Sequence, residues 1–341
     1  MKKNFLLCFL VLLIGCSKKE KVVYLATWTG YVAQETLEAF TKKTGITVKV
    51  STYVSNEELL AKLQAGATGY DVAIPSDYMV DVMAKLKLLE KIDKAKIPNF
   101  KNLRPELTGL DYDLKNDWSV PYSWGTTGIA INIKKFPGEI RGWKDLLNNP
   151  VFIGQFTLLD DIRETFGLAL KSLGKSLNTR DESDLVRAKD LLLILKKRAR
   201  AFLAEPLDSI MNDEFIAAQM YSSDAVQAGR NTNGKIKYIL PEEGGTLWID
   251  SLVIPRGAPH KDEANVLINF FLEKETILAN IKAKGIGPVL KNIEKDLPEE
   301  LRSDKNYLPS KQVLSKFEMI RDVGDKTAFW DKLWTEIKAA N

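Results

Sequence analysis

Two short segments of this 341-residue chain group side chains that could do chemistry together. In Asp160-Asp161-Ile162-Arg163-Glu164, three carboxylates stand just ahead of an apolar stripe, Ile162, Phe166, Ala169 and Leu173, at helical spacing. Asp161 and Glu164 would lie on one side of the first helical turn, where carboxylates satisfy free backbone N–H groups and meet the positive helix end. The spacing favours capping. Three acids are nevertheless more than one cap requires, so a cation site stays open. The second segment is Gly244-Gly245-Thr246-Leu247-Trp248-Ile249-Asp250-Ser251. In an extended strand Trp248 and Asp250, two apart, point to the same side. An aromatic face beside a carboxylate suits an alkylammonium: the ring meets methylenes and charge, and the carboxylate accepts the N–H protons. A strand tryptophan is more often ordinary core, and the pair taken alone favours that reading.

Enzymatic patterns are sparse. The single histidine, His260, stands between Pro259 and Lys261 just before a helix, a position expected to be exposed, and no Gly-x-Ser-x-Gly elbow accompanies it. There is no glycine-rich phosphate loop with Lys and Ser or Thr, and no His or Cys metal motif, so neither cofactor nor metal is expected. Paired carboxylates can still perform acid–base work, which keeps a hydrolase using Asp160 or Glu164 as an alternative. Binding is the default.

The elements that must position these residues alternate. Val22 to Ala26 is β-prone, a helical pattern through Leu37 and Phe40 stops at Gly45, and Ile46 to Val50 alternates as a second strand. Ser55 precedes Glu58 by three, a capping box opening a helix with Leu59, Leu60 and Leu63. A third strand follows at Tyr70 to Ile74, then a strand near Gly128 to Ile133, helices near 161–173 and 184–195, a strand at Leu252 to Pro255 and a helix from Lys261 to Leu272. This alternation predicts an α/β fold with parallel sheets flanked by helices. The basic cluster Lys196-Lys197-Arg198-Ala199-Arg200 is expected to end a helix, where it complements the dipole.

Lys2 and Lys3 followed by the apolar run Phe5 to Ile14 have the layout of a secretory signal peptide, too short to span a bilayer, which takes about 20 residues. Leu13-Ile14-Gly15-Cys16 resembles the lipobox of bacterial lipoproteins, which implies acylation of Cys16 and a solvated tether over 16–21. Cys8 and Cys16 are the only cysteines, so the mature chain can form no internal disulfide and must rely on its core. About 326 residues then remain, enough for two domains, with 47 basic against 45 acidic side chains and no basic run that suggests nucleic acid.

Taken in order, Trp28-Thr29-Gly30-Tyr31-Val32, Ser51 to Glu57, Tyr70 to Ser76, Pro121-Tyr122-Ser123-Trp124-Gly125, Asp160 to Glu164 and Trp248-Ile249-Asp250-Ser251 resemble the spermidine- and putrescine-binding proteins of bacterial ABC importers. The resemblance implies a two-lobed periplasmic-binding-protein fold with two crossover strands and a polyamine in the cleft. It implies 22–125 with 250–290 as one lobe and 126–249 with 291–341 as the other. Aromatic walls fall to Trp28, Tyr31, Tyr78, Trp248 and Tyr221, hydroxyls to Thr29 and Ser76, and ammonium partners to Asp161, Glu164 and Asp250. Gly30, Tyr221, Ile286 and Ile320 stand where the family often has an acid, a tryptophan, a tyrosine and a glutamine. The implied protein is a monomer on the extracytoplasmic side, held to a membrane through Cys16, that delivers its ligand to a permease. A binder of ferric iron or of an anion on the same fold is the alternative within the class. The absence of a Tyr-Tyr pair and the acids crowding the best helix N-terminus argue against it.

Overall fold

The computed structural model describes residues 21–66 and 69–340. The expected signal peptide, Cys16 and the expected tether up to residue 20 lie outside the described residues, and Lys21 already belongs to a strand.

Among the described residues nine strands run in chain order: β1 Lys21–Trp28, β2 Ile46–Tyr53, β3 Val72–Ala73, β4 Val120–Asn132, β5 Phe156–Leu159, β6 Ala201–Leu203, β7 Ala217–Tyr221, β8 Ile236–Ile239 and β9 Leu247–Leu252. The first sheet, in the order β2-β1-β3, is wholly parallel, with Val23 and Leu25 of its central strand fully buried. The second has the order β6-β5-β7-β4-β8 and is mixed. β5 is parallel to β6 and β7, whereas β4 is antiparallel to β7, β8 and β9. Alternating strands and helices predict parallel pairing; β4 breaks the pattern by pairing antiparallel with three neighbours.

β4 is the main connector. All thirteen of its residues are buried. Its first half, Val120, Tyr122 and Trp124, packs in an apolar core with Val23, Phe40, Leu267 and Phe271. Its second half, Ile129 and Ile131, packs in another with Trp143, Phe156, Phe166 and Trp330. β9 runs back beside the first half, pairing Thr126 with Leu247 through Val120 with Leu252. The sequence expectation found only the second half of β4, since Pro121 and Gly125 interrupt the β-like composition of the first. β9 likewise ends at Leu252, where a strand was expected to begin; Val253 and Pro255 make only isolated bridges. Ile293, Leu297, Leu301 and Tyr307 are buried in the first core.

Local signals behave as physics requires. Ser55 Oγ accepts the Glu58 N–H at 3.1 Å, capping the Asn56–Gln64 helix, while the Glu58 carboxylate reaches one residue beyond the cap to the N–H of Val54. Lys196 to Arg198 form the last turn of the Glu182–Arg198 helix, and Lys196 also donates to the carbonyls of Ile337, Lys338 and Ala340, capping the C-terminal helix Thr327–Ala339. His260 is not freely exposed as expected. Asp71, fully buried, accepts its backbone N–H at 2.7 Å and lies 3.0 Å from its Nδ1, because a buried carboxylate there needs donors and the start of the Lys261–Phe271 helix supplies them.

Candidate ligand-binding cleft

Strand ends and helix starts far apart in sequence converge on one cleft whose open space, mouth included, is about 950 Å³. Its wall holds Trp28, Thr29 and Tyr31 from the end of β1 and the turn after it, and Ser76 and Tyr78 from the start of the Asp77–Lys85 helix. Asp161 and Glu164 come from the start of the Ile162–Ser172 helix, Tyr221 from the end of β7, and Trp248 and Asp250 from β9. All ten side chains singled out in the sequence therefore border the same hollow.

Asp250 is held at one point of this wall by partners distant in the chain. Ser76 and Asp250 form an isolated antiparallel bridge, Ser76 Oγ donates to Oδ1 at 2.7 Å, and Tyr31 Oη donates to Oδ2 at 2.6 Å. Burial pushes the Asp250 carboxyl up to about 6, and the two hydroxyls restrain the rise.

The acidic segment divides its labour. Asp161 Oδ1 accepts the N–H groups of both Arg163 and Glu164 at 2.9 Å, so this residue is the helix cap that its spacing suggests. Glu164 is not part of the cap. It is 4% exposed and accepts from Thr246 Oγ1 at 2.7 Å; burial first, then Asp161 nearby, pushes its carboxyl up to about 8. Burial also raises Asp161, opposed by the two N–H groups it caps. Asp160 turns to an ion pair with Lys338 at 2.8 Å.

The rings are fixed by hydrogen bonds in some cases and by packing in others. Trp28 Nε1 donates to the Ile74 carbonyl at 2.9 Å, and its ring leans on Tyr53 with centroids 4.9 Å apart. Tyr221 and Trp248 meet edge to face at 6.1 Å. Trp248 fits because residue 125 is glycine: a methyl group there would overlap both the indole and Ser222 Oγ. Tyr78 Oη donates to Glu57 at 3.0 Å and accepts from Asn56 Nδ2 at 3.1 Å.

Sequence reasoning missed several lining residues: Tyr53, Asn56, Asp77, Glu205, Ser223 and Asp224. Asn56 was hidden in the capping-box segment, yet its amide bonds both the Tyr78 hydroxyl and the Ser76 N–H. Asp77 stands between two residues already singled out, and Asp224 closes the Met220–Asp224 segment; their signal was adjacency alone. Asp77 is 2% exposed, accepts the Tyr78 N–H through Oδ1, and is pushed up to about 8 chiefly by burial. Asp224 is pushed up to about 6 by burial and then by Glu205. Of the four positions where the chain departs from the family pattern, Ile320 lines the cleft, whereas Ile286 is fully buried in the first core. Among the described residues the lining thus contains seven carboxylates, Asp77, Asp160, Asp161, Glu164, Glu205, Asp224 and Asp250, and no lysine or arginine.

The chain matches the family model described as bacterial extracellular solute-binding protein over residues 35–309. It is 39% identical over 322 residues to the spermidine/putrescine-binding periplasmic protein of Salmonella typhimurium, covering 93% of this chain and 91% of that protein. Among solved structures, it is similar to a putative spermidine/putrescine ABC transporter protein from Listeria monocytogenes, with 32% identity, a TM-score of 0.88, and coverage of 94% of this chain and 100% of that one. The TpPotD lipoprotein of Treponema pallidum is similar too, with 29% identity, a TM-score of 0.84, and coverage of 93% and 99%. With most of the chain matched by the family model and by relatives of this identity, this protein belongs to the bacterial extracellular solute-binding protein family.

Proposed function

We propose that this protein captures a polyamine, spermidine or putrescine, in the cleft and delivers it to an ABC permease without transforming it. The observation that carries this reading is the lining. Seven carboxylates and six aromatic side chains, Trp28, Tyr31, Tyr53, Tyr78, Tyr221 and Trp248, share one hollow with no lysine or arginine in its wall among the described residues. Buried carboxylates without cationic partners are costly, and a polyamine supplies charges spaced by methylenes that aromatic faces cover. Asp161, Glu164 and Asp250 pair with ammonium groups, Thr29 and Ser76 add hydroxyls, and the rings contact the carbon chain. The names of the Salmonella and Listeria relatives support the same ligand class. An anion would meet repulsion from every side of this wall.

Two apolar cores that β4 enters in turn favour two lobes that close over the ligand, and the packing of Ile293 to Tyr307 favours a second boundary after that segment rather than at 290. A lipid on Cys16 holds the monomer to a membrane on the extracytoplasmic side, a reading favoured by the lipobox-like Leu13 to Cys16 and by similarity to the Treponema lipoprotein. Calorimetry against di- and triamines, with amino acids, sulfate and ferric iron as controls, tests the ligand: saturable heat with the amines alone is expected, and heat with a control but no amine rejects the proposal. Cys16→Ser should move the protein from the membrane to the soluble fraction of expressing cells; continued membrane association would remove the anchor.

A further inference from the structure

The cleft contains more buried acid than its hydrogen bonds can keep ionised. Glu164 has the Thr246 hydroxyl on Oε2, and Asp77, buried on the same wall, has the Tyr78 N–H on Oδ1 and no partner on Oδ2. The buried cation Arg163 is engaged elsewhere: it donates through Nη1 to the Arg321 carbonyl at 2.9 Å and through Nη2 to Asn178 at 3.2 Å, and stacks over Trp330 at 4.6 Å. An ionised carboxylate out of water with so few donors takes up a proton instead.

We propose that Asp77 and Glu164 hold protons in the empty cleft and release them as a cationic amine enters, so that capture exchanges protons for amine charge. This inference rests on the amine reading above.

The surroundings of both acids are predominantly acidic or neutral. Glu164 faces Asp161 and Arg163 on its own helix, Thr246 and Thr127 from the segments beside it, Asp77 from the start of the Asp77–Lys85 helix, and the phenols of Tyr221 and Tyr238. Asp77 faces Asp250, Arg163 and Tyr112. With Arg163 the one cation among these groups, burial and like charge dominate, and both carboxyls are pushed up to about 8. On binding, each carboxyl O–H gives its proton to solvent, and the carboxylate formed pairs with an ammonium group; no bond to carbon changes. A neutral solute offers no charge to compensate that ionisation, so the exchange also discriminates for cations.

Calorimetric titration of the full chain with spermidine and with putrescine near pH 7, in phosphate and in MOPS, reads the proton count from the dependence of heat on buffer ionisation. Between about one and two protons released per amine are expected, with affinity rising up to about tenfold per pH unit for each proton between pH 6 and 8. Asp77→Asn and Glu164→Gln should each lower the count by about one. Amine binding with buffer-independent heat in the wild type, or a proton count unchanged in both variants, overturns the exchange while leaving the amine site standing. Absence of binding by any amine overturns the amine reading and the exchange together.

Discussion

Replacing Asp250 with asparagine should move affinity and stability in opposite directions. In the empty protein the carboxyl is raised from 3.8 to about 6, a net destabilisation of the ionised native state that already includes the hydroxyls of Tyr31 and Ser76. At about 1.36 kcal/mol per pKa unit this amounts to about 3 kcal/mol. For an acid raised on folding, the native state binds more protons than the unfolded chain, so the loss sets in above the unfolded value and is complete above about pH 6. Asparagine keeps the shape without the charge, so at pH 7.5 the free variant should be as stable as the wild type or up to about 3 kcal/mol more stable. Amine affinity should fall by about 2–5 kcal/mol, about 30-fold to several thousand-fold, because an ammonium group loses its buried counter-charge. Urea denaturation at pH 7.5 checks the first effect and calorimetry the second. Affinity within about threefold of wild type would refute the role given to Asp250, whereas a destabilised variant would refute the account of its isolation.

Asp161→Asn separates capping from charge: asparagine caps as well as aspartate, so the melting temperature should hold within about 2 °C while amine affinity falls about tenfold or more, read by thermal shift and calorimetry. Gly125→Ala should displace the Trp248 indole, costing about 1–3 kcal/mol of stability and weakening amine binding, with a changed tryptophan emission as the spectroscopic check. Asp77, Glu164, Asp224 and Asp250 are all raised, so their joint contribution favours the empty protein at low pH and is lost between about pH 4 and 8. The amine-induced rise in melting temperature should therefore be larger at pH 8 than at pH 5, as differential scanning calorimetry can measure. Asn56→Ala removes the amide that holds the Tyr78 hydroxyl and the Ser76 N–H, and should cost about 1–3 kcal/mol in a denaturation series.

Much of the architecture was legible because its causes are local. A cap bonds residues two and three positions on, so Asp161 and Ser55 disclose their helices within a single turn. Side-chain alternation in a strand relates residues two apart, which is why Trp248 and Asp250 could be assigned to one side before their surroundings were known. The order of the motifs pointed to the family. The wall of the cleft was less legible: Asp77, Asn56 and Asp224 differ from ordinary capping or surface residues only in what the fold sets against them.

Taken alone, the sequence determined the alternation of strands and helices, the choice of caps, and the supply of acids and rings. Tertiary structure alone decided that Ser76 and Tyr31, 174 and 219 residues from Asp250, supply its donors. It also decided that Glu164 meets Thr246 rather than the helix end, and that β4 pairs antiparallel with its neighbours and makes the second sheet mixed. The physical reason is range. Caps and alternation are settled within a few residues of backbone, whereas the charge state of a carboxyl depends on the water and donors left around it after distant segments have packed.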